Sequence, residues 1–183
     1  MQVLGVDQSF TMTGLARVDE LGLISLARVA TSAQGAGGGT RGTRDRIRYI
    51  VGQTLRFAPA EVLTVIEAPI VARGGKGGAQ LERAMLFGLL VDQLLSRGEV
   101  VVVHPATRAK YAAGAGHASK EQVLTAMRGR FPGLRFRDDN EADAAALACM
   151  GARWLGRPVD GAVGRKQEEA MTSVVWPERG SVR

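Results

Sequence analysis

The sequence predicts an α/β domain: a mixed five-stranded sheet, an antiparallel meander followed by parallel strands, with helices on both faces. Three observations carry this. Two strand-like runs and a third beyond a turn open the chain, helix-period and strand-period segments then alternate, and an alanine-rich helix closes the pattern.

Residues 2–7 read as a buried strand ending in an acid, and residues 13–18 as a second strand. Asp19-Glu20-Leu21-Gly22 supplies turn chemistry before a third strand over residues 23–30, so the three run as a meander. Residues 33–42 are nearly all Gly, Ala, Thr and Gln, too poor in side chains to pack, and read as a mobile loop. Ile47, Ile50, Val51 and Leu55 recur at helical spacing among arginines, and residues 62–67 form a β-branched strand. After a second glycine-rich stretch, residues 73–78, a helix over residues 80–97 carries Leu81, Met85, Leu86, Leu89, Leu90, Leu94 and Leu95 on more than one face. Such a helix needs cover on two sides.

Residues 99–103 give a fifth strand, and Pro105 sits where a short helix would begin. Ser119-Lys120-Glu121-Gln122 fits a capping box that opens a helix stopping at Pro132-Gly133. The last helix spans about residues 140–155, favoured by Ala142, Ala144, Ala145, Ala146 and Ala148, with Leu147, Met150, Gly151, Trp154 and Leu155 as its packed side. Residues 1–156 are expected to form one domain. Residues 157–183 are polar and weakly periodic, and are expected to form a flexible tail, disordered or borrowed by a partner.

Composition narrows the function classes. A length of 183 residues with 45% hydrophobic and 23% charged residues suits one globular domain. No apolar run approaches the roughly 20 residues that span a bilayer. The opening residues lack the features of a secretory signal, so a cytoplasmic location is expected. Cys149 stands alone, which excludes an intramolecular disulfide and a cysteine-rich zinc site. The net charge of +6 comes from 24 basic residues, of which only Lys76, Lys110, Lys120 and Lys166 are lysines, and points to a polyanionic partner. Arginine richness from codon usage would give the same excess.

The carboxylates say more. Asp7 and Glu67 each end a buried strand, where a charge is costly without a partner. A third cluster, residues 138–143, opens the alanine-rich helix, with Asn140 and Asp143 three apart on one face. Taken singly, Asn140 would serve as an N-cap with acids in the first turn, and Asp7 as a strand-end turn residue. Taken together, three elements aim oxygen ligands at one point. Converging carboxylates repel until a divalent cation relieves them, and oxygen-only ligation selects magnesium or manganese. Two such ions about 3.5–4 Å apart support in-line hydrolysis of a phosphodiester without a protein nucleophile.

These residues resemble a family. Gly5-Val6-Asp7-Gln8-Ser9-Phe10-Thr11-Met12-Thr13-Gly14 resembles the opening strand and hairpin of RuvC-type Holliday-junction resolvases, which have a ribonuclease-H-like fold. Val65-Ile66-Glu67-Ala68-Pro69 resembles their second acidic strand, and residues 141–148 their final helix. Residues 104–110 and Ser119-Lys120 are similar to their lysine-bearing segment. The match runs over residues 3–155, in order.

The resemblance implies that Asp7, Glu67 and Asp143 are catalytic metal ligands. Where the family places an acid or imidazole three residues before the last Asp, this chain has Asn140, flanked by Asp139 and Glu141. The fourth ligand is then Asn140 or Asp139. Lys110 and Lys120 match the family's two lysines, which implies catalytic and DNA contacts. The family commonly carries a junction-wedging aromatic in the loop after the second acidic strand. Ile70 and Val71 stand there instead, followed by Arg73 and Lys76 as further DNA contacts. The resemblance further implies two magnesium ions per site, with manganese able to substitute. It implies branched, four-way-junction DNA as substrate and a homodimer that makes paired nicks; nothing addresses a branch-migration helicase partner. A nuclease acting on RNA–DNA hybrids or flaps, or a branched-DNA-binding protein without catalysis, would share most of these residues. The Asp7–Gly14 hairpin is also similar to the phosphate hairpin of actin-like ATPases and sugar kinases, which need a second lobe that 183 residues do not accommodate.

Overall fold

The strand runs pair as their alternation demands. In a computed structural model, which describes residues 1–32, 39–70 and 77–178, the order is β1 (Gln2–Asp7), β2 (Met12–Val18), β3 (Ile24–Ala30), α1 (Gly39–Phe57), β4 (Val62–Glu67), α2 (Gly77–Leu95), β5 (Val100–Val103), α3 (Pro105–Ala113), α4 (Lys120–Arg130), α5 (Asp139–Trp154) and α6 (Arg165–Thr172). The sheet runs β3-β2-β1-β4-β5. The first three strands are antiparallel, and β4 and β5 add in parallel. The described residues thus form the mixed five-stranded sheet that the meander and later crossovers predict.

Alternation along β1 and β4 sorts two cores. Val3, Leu63 and Val65 face α3, α4 and α5 on one side. Leu4, Val6, Val62 and Ile66 pack with Ile47, Ile50 and Val51 of α1 and Leu86, Leu90 and Leu94 of α2 on the other. Asp7 and Glu67 keep the parity of Val3 and Val65, so both acids end adjacent parallel strands on the α5 face. Val6 pairs with Ile66, which leaves the two acids side by side at the carboxyl edge of the sheet.

Helix α5 lies unusually close to that face, and small residues make the approach possible. A Cβ built on Gly5 would fall 2.0 Å from the Ala144 carbonyl oxygen, and one on Gly14 would fall 2.0 Å from that of Asn140. The alanines on α5 are completely buried. The alanine run therefore serves closeness of packing as much as helix propensity. The cap of α5 is Asp138, whose side chain accepts from the Glu141 amide at 3.0 Å, rather than Asn140.

Residues 157–178 are not the flexible tail that their polarity predicts. Helix α6 packs on α3 with Ala170 buried, and Trp176 stacks on Trp154 at 5.7 Å. The Asp160 carboxylate is fully enclosed. It accepts from the Tyr111 hydroxyl at 2.7 Å, from Arg153 at 2.5 Å and from Arg130 at 3.3 Å, so one acid ties α3, α4 and α5 together. A fully paired buried charge of this kind has no periodic signature.

Gly5→Ala is expected to lower unfolding stability by about 1–3 kcal/mol, because the new methyl meets backbone that cannot rotate away. Urea unfolding of the two proteins measures this, and equal midpoints would refute the tight contact.

Candidate active site

Three elements deliver acids to one cleft of about 280 Å³, whose lining includes Asp7, Gln8, Glu67, Ile70, Arg83, Arg108, Lys120, Asn140 and Asp143. Strand ends β1 and β4 supply Asp7 and Glu67. The close approach of α5 brings up Asn140 and Asp143, one helical turn apart.

Burial first, then the neighbouring Glu67 and Asp143, push the Asp7 carboxyl well above the usual carboxylate range. Asp143 is raised to about 7, by burial first; Arg108 opposes that rise and Glu67 adds to it. Lys120 hydrogen-bonds Asp139 at the rim, and this raises the ammonium's pKa. Burial works against ionisation of Asp139, but the Lys120 bond and charge outweigh it and hold that carboxyl low. Asp139 is thereby engaged outside the cleft, and the residue that lines the cleft is Asn140.

Arg108 is the residue that sequence reasoning missed. Its Nε donates to Glu67 Oε2 at 2.7 Å and its Nη1 donates to Asp143 Oδ1 at 2.5 Å. Lys110, expected from the resemblance to serve catalysis and bind DNA, is not in the cleft: its Nζ donates to Glu169 on α6 at 2.8 Å. Helix phase explains the exchange. Two residues along an α-helix turn the side chain about 200°, so Arg108 shares the inner face with Tyr111 and Ala112 while Lys110 faces outward. The signal was present as spacing, since 108, 111 and 112 stand at i, i+3 and i+4.

Ile70 is exposed at the cleft rim. Val71, Arg73 and Lys76 lie outside the described residues.

The donor set suits a hard divalent cation. Three carboxylates and the Asn140 amide offer only oxygen, and Gln8 Oε1 is a further buried oxygen without a hydrogen-bond partner. Among the described residues, no three His, Cys, Asp or Glu side chains are drawn together closely enough to hold an ion in this conformation. The Arg108 guanidinium instead bridges Glu67 and Asp143.

No protein-family model and no curated protein matches the sequence. Among solved structures, the chain is similar to RuvC of Thermus thermophilus, with 24% identity, 86% of this chain and 98% of that one covered, and a TM-score of 0.61. It is also similar to T. thermophilus RuvC in complex with Holliday junction substrate, at 21% identity, with 86% and 97% covered and a TM-score of 0.62. The fold is therefore the ribonuclease-H-like fold of RuvC.

A carboxyl whose pKa rises on folding holds its proton more tightly in the native state, so stability falls as pH rises from the ordinary value of 3.8 towards about 7. In chelator, the melting temperature should fall by about 3 °C per pH unit between pH 5 and 7 on account of Asp143. Asp143→Asn should flatten that slope, and parallel wild-type and variant melting profiles would contradict the assignment.

Proposed function

We propose that the protein is a magnesium-dependent endonuclease that resolves Holliday junctions and other branched DNA, acting in the cytoplasm as a homodimer that makes paired nicks. The observation that carries this reading is the convergence of Asp7, Glu67, Asn140 and Asp143 from three elements in one cleft. The likeness in fold to a protein solved on Holliday junction substrate supports the choice of DNA.

Asp7, Glu67 and Asp143 would hold two magnesium ions as anionic ligands, with Asn140 a neutral fourth; manganese would fit the same oxygens. Bound there, the ions supply the Lewis acidity for in-line hydrolysis of a phosphodiester. Lys120, largely exposed and lining the cleft, would meet a phosphate beside the scissile one. Ile70 presents an apolar edge to the bases, as aliphatic wedges do at a splayed step. Arg73 and Lys76, which follow Ile70 in the sequence, are proposed as further DNA contacts.

An arginine groove of about 630 Å³, lined by Arg28, Arg128, Arg135 and Arg137, extends this surface around the start of α5. Arg28 leans on the capping Asp138 and Arg137 on Glu141, which anchors two of the four near the cleft. Guanidinium forks match phosphate oxygens, so the groove suits a flanking strand. Among the described residues, no helix is long and apolar enough to cross a membrane.

The dimer reading rests on α2. Leu86, Leu90 and Leu94 fill the core, while Leu81, Met85, Leu89 and Leu95 stay exposed, with Tyr49 of α1 exposed as well. A helix apolar on both faces is what an isologous contact uses.

Incubation with a four-way junction, matched duplex and an RNA–DNA hybrid, in magnesium or in chelator, tests the activity. Paired magnesium-dependent nicks in the junction alone are expected. Cutting of the hybrid would reassign the substrate, and binding without cutting would make Asn140 the mark of a lost ligand. Asp7→Asn should abolish cleavage and leave junction affinity within about twofold, since phosphate contacts supply most of the binding. Leu89→Glu should convert the dimer to monomer in sedimentation velocity, and an unchanged dimer would move the interface elsewhere.

A further inference from the structure

Among the described residues, Arg108 is the one arginine that is buried. The other described arginines reach solvent. Its helix is built to hold it in place: the His104 side chain caps the first turn by accepting from the Ala106 amide at 3.2 Å, and Pro105 starts the helix. One turn beyond Arg108, Tyr111 is clamped by the enclosed Asp160. The guanidinium is thus presented to Glu67 and Asp143 from a fixed wall.

We propose that Arg108 is an internal counter-ion that exchanges with a divalent cation: it bridges Glu67 and Asp143, and a bound metal takes its place. This rests on the metal-dependent reading above only for the kind of ion that enters.

Three carboxylates in one enclosed cleft need opposing charge, or the cleft must spread or take up protons. Arg108 supplies one positive charge and two directed donors to two of the three acids. A divalent ion supplies twice the charge and is drawn to the same two carboxylates, of which Arg108 holds Glu67 Oε2 and Asp143 Oδ1. Two cations in one cleft repel, and an oxygen that ligates a metal is a poorer acceptor for the guanidinium. Charge repulsion therefore sets the two against each other at the bridging position. The exchange has two consequences. The site stays assembled without metal, and metal must reach a higher concentration before it loads than a site of the same ligands without Arg108 would require.

Direct Mn²⁺ binding, followed by electron paramagnetic resonance and calorimetry at pH 8, tests this without reference to cleavage. Arg108→Ala should bind Mn²⁺ about tenfold more tightly than wild type. It should also melt several degrees lower in chelator and regain most of that loss when Mn²⁺ is added. Arg108→Lys keeps the charge but loses the two-armed bridge, and should fall between the two in affinity. Should Arg108→Ala not fold in chelator, Arg108→Lys decides the matter by the same titration.

Unchanged or weaker Mn²⁺ affinity in a folded variant overturns the proposal. So does an equal loss of melting temperature with and without Mn²⁺, which is what a merely structural arginine would produce. Absence of Mn²⁺ binding by wild type and variant alike overturns this proposal and the nuclease reading together. Tighter Mn²⁺ binding by Arg108→Ala in a protein that leaves junctions intact supports the exchange while removing the nuclease reading.

Discussion

Helix α5 rests on β1 and β2 with no space for a Cβ at Gly5 or Gly14, and the geometry of the cleft follows from that contact. The acids at the ends of β1 and β4 are set by sheet register, which leaves little freedom. The position of Asp143 depends instead on how far the helix stands from the sheet. Ordinary side chains at the interface would hold the helix further out and carry Asp143 away from Asp7. Gly151 repeats the device further along α5, where a Cβ would meet Val3 and Val65. Small residues on both partners thus convert packing distance into ligand distance.

Closeness has an electrostatic cost. Acids brought together in a poorly solvated cleft disfavour ionisation, and the raised pKa values of Asp7 and Asp143 express it. Arg108 offsets part of the cost from the neighbouring helix. The enclosed Asp160 is the opposite arrangement, one acid among Arg130, Arg153 and the Tyr111 hydroxyl, and it braces the wall from which Arg108 projects. Two buried charge networks of opposite composition therefore lie at successive turns of α3.

Much of this was legible in the sequence, because strands and their terminal acids follow from period-two alternation. Asp7 and Glu67 were found as charges ending apolar runs, and Asp143 as an acid on an alanine-rich helix. Lys110 was misplaced, because the resemblance identifies a segment whereas helix phase decides which side chain of that segment faces inward. Arg108 escaped notice as one arginine in an arginine-rich chain. Residues 157–178 misled for a related reason: what fixes them is Asp160 and the Trp154–Trp176 stack, and neither produces a periodic apolar pattern. The cap of α5 was displaced by two residues, since four consecutive polar residues, 138–141, could each have begun it.

The order of the acids along the chain has a consequence for synthesis. Asp7 and the β1–β2 hairpin leave the ribosome well before Asp143 and the Asp160 clasp, which follow more than a hundred residues later. A nascent chain with only the sheet made carries Asp7 and Glu67 at an open edge, without the helix that encloses them. The cleft becomes whole only when α5 docks, so an interrupted translation product has the scaffold and lacks the centre.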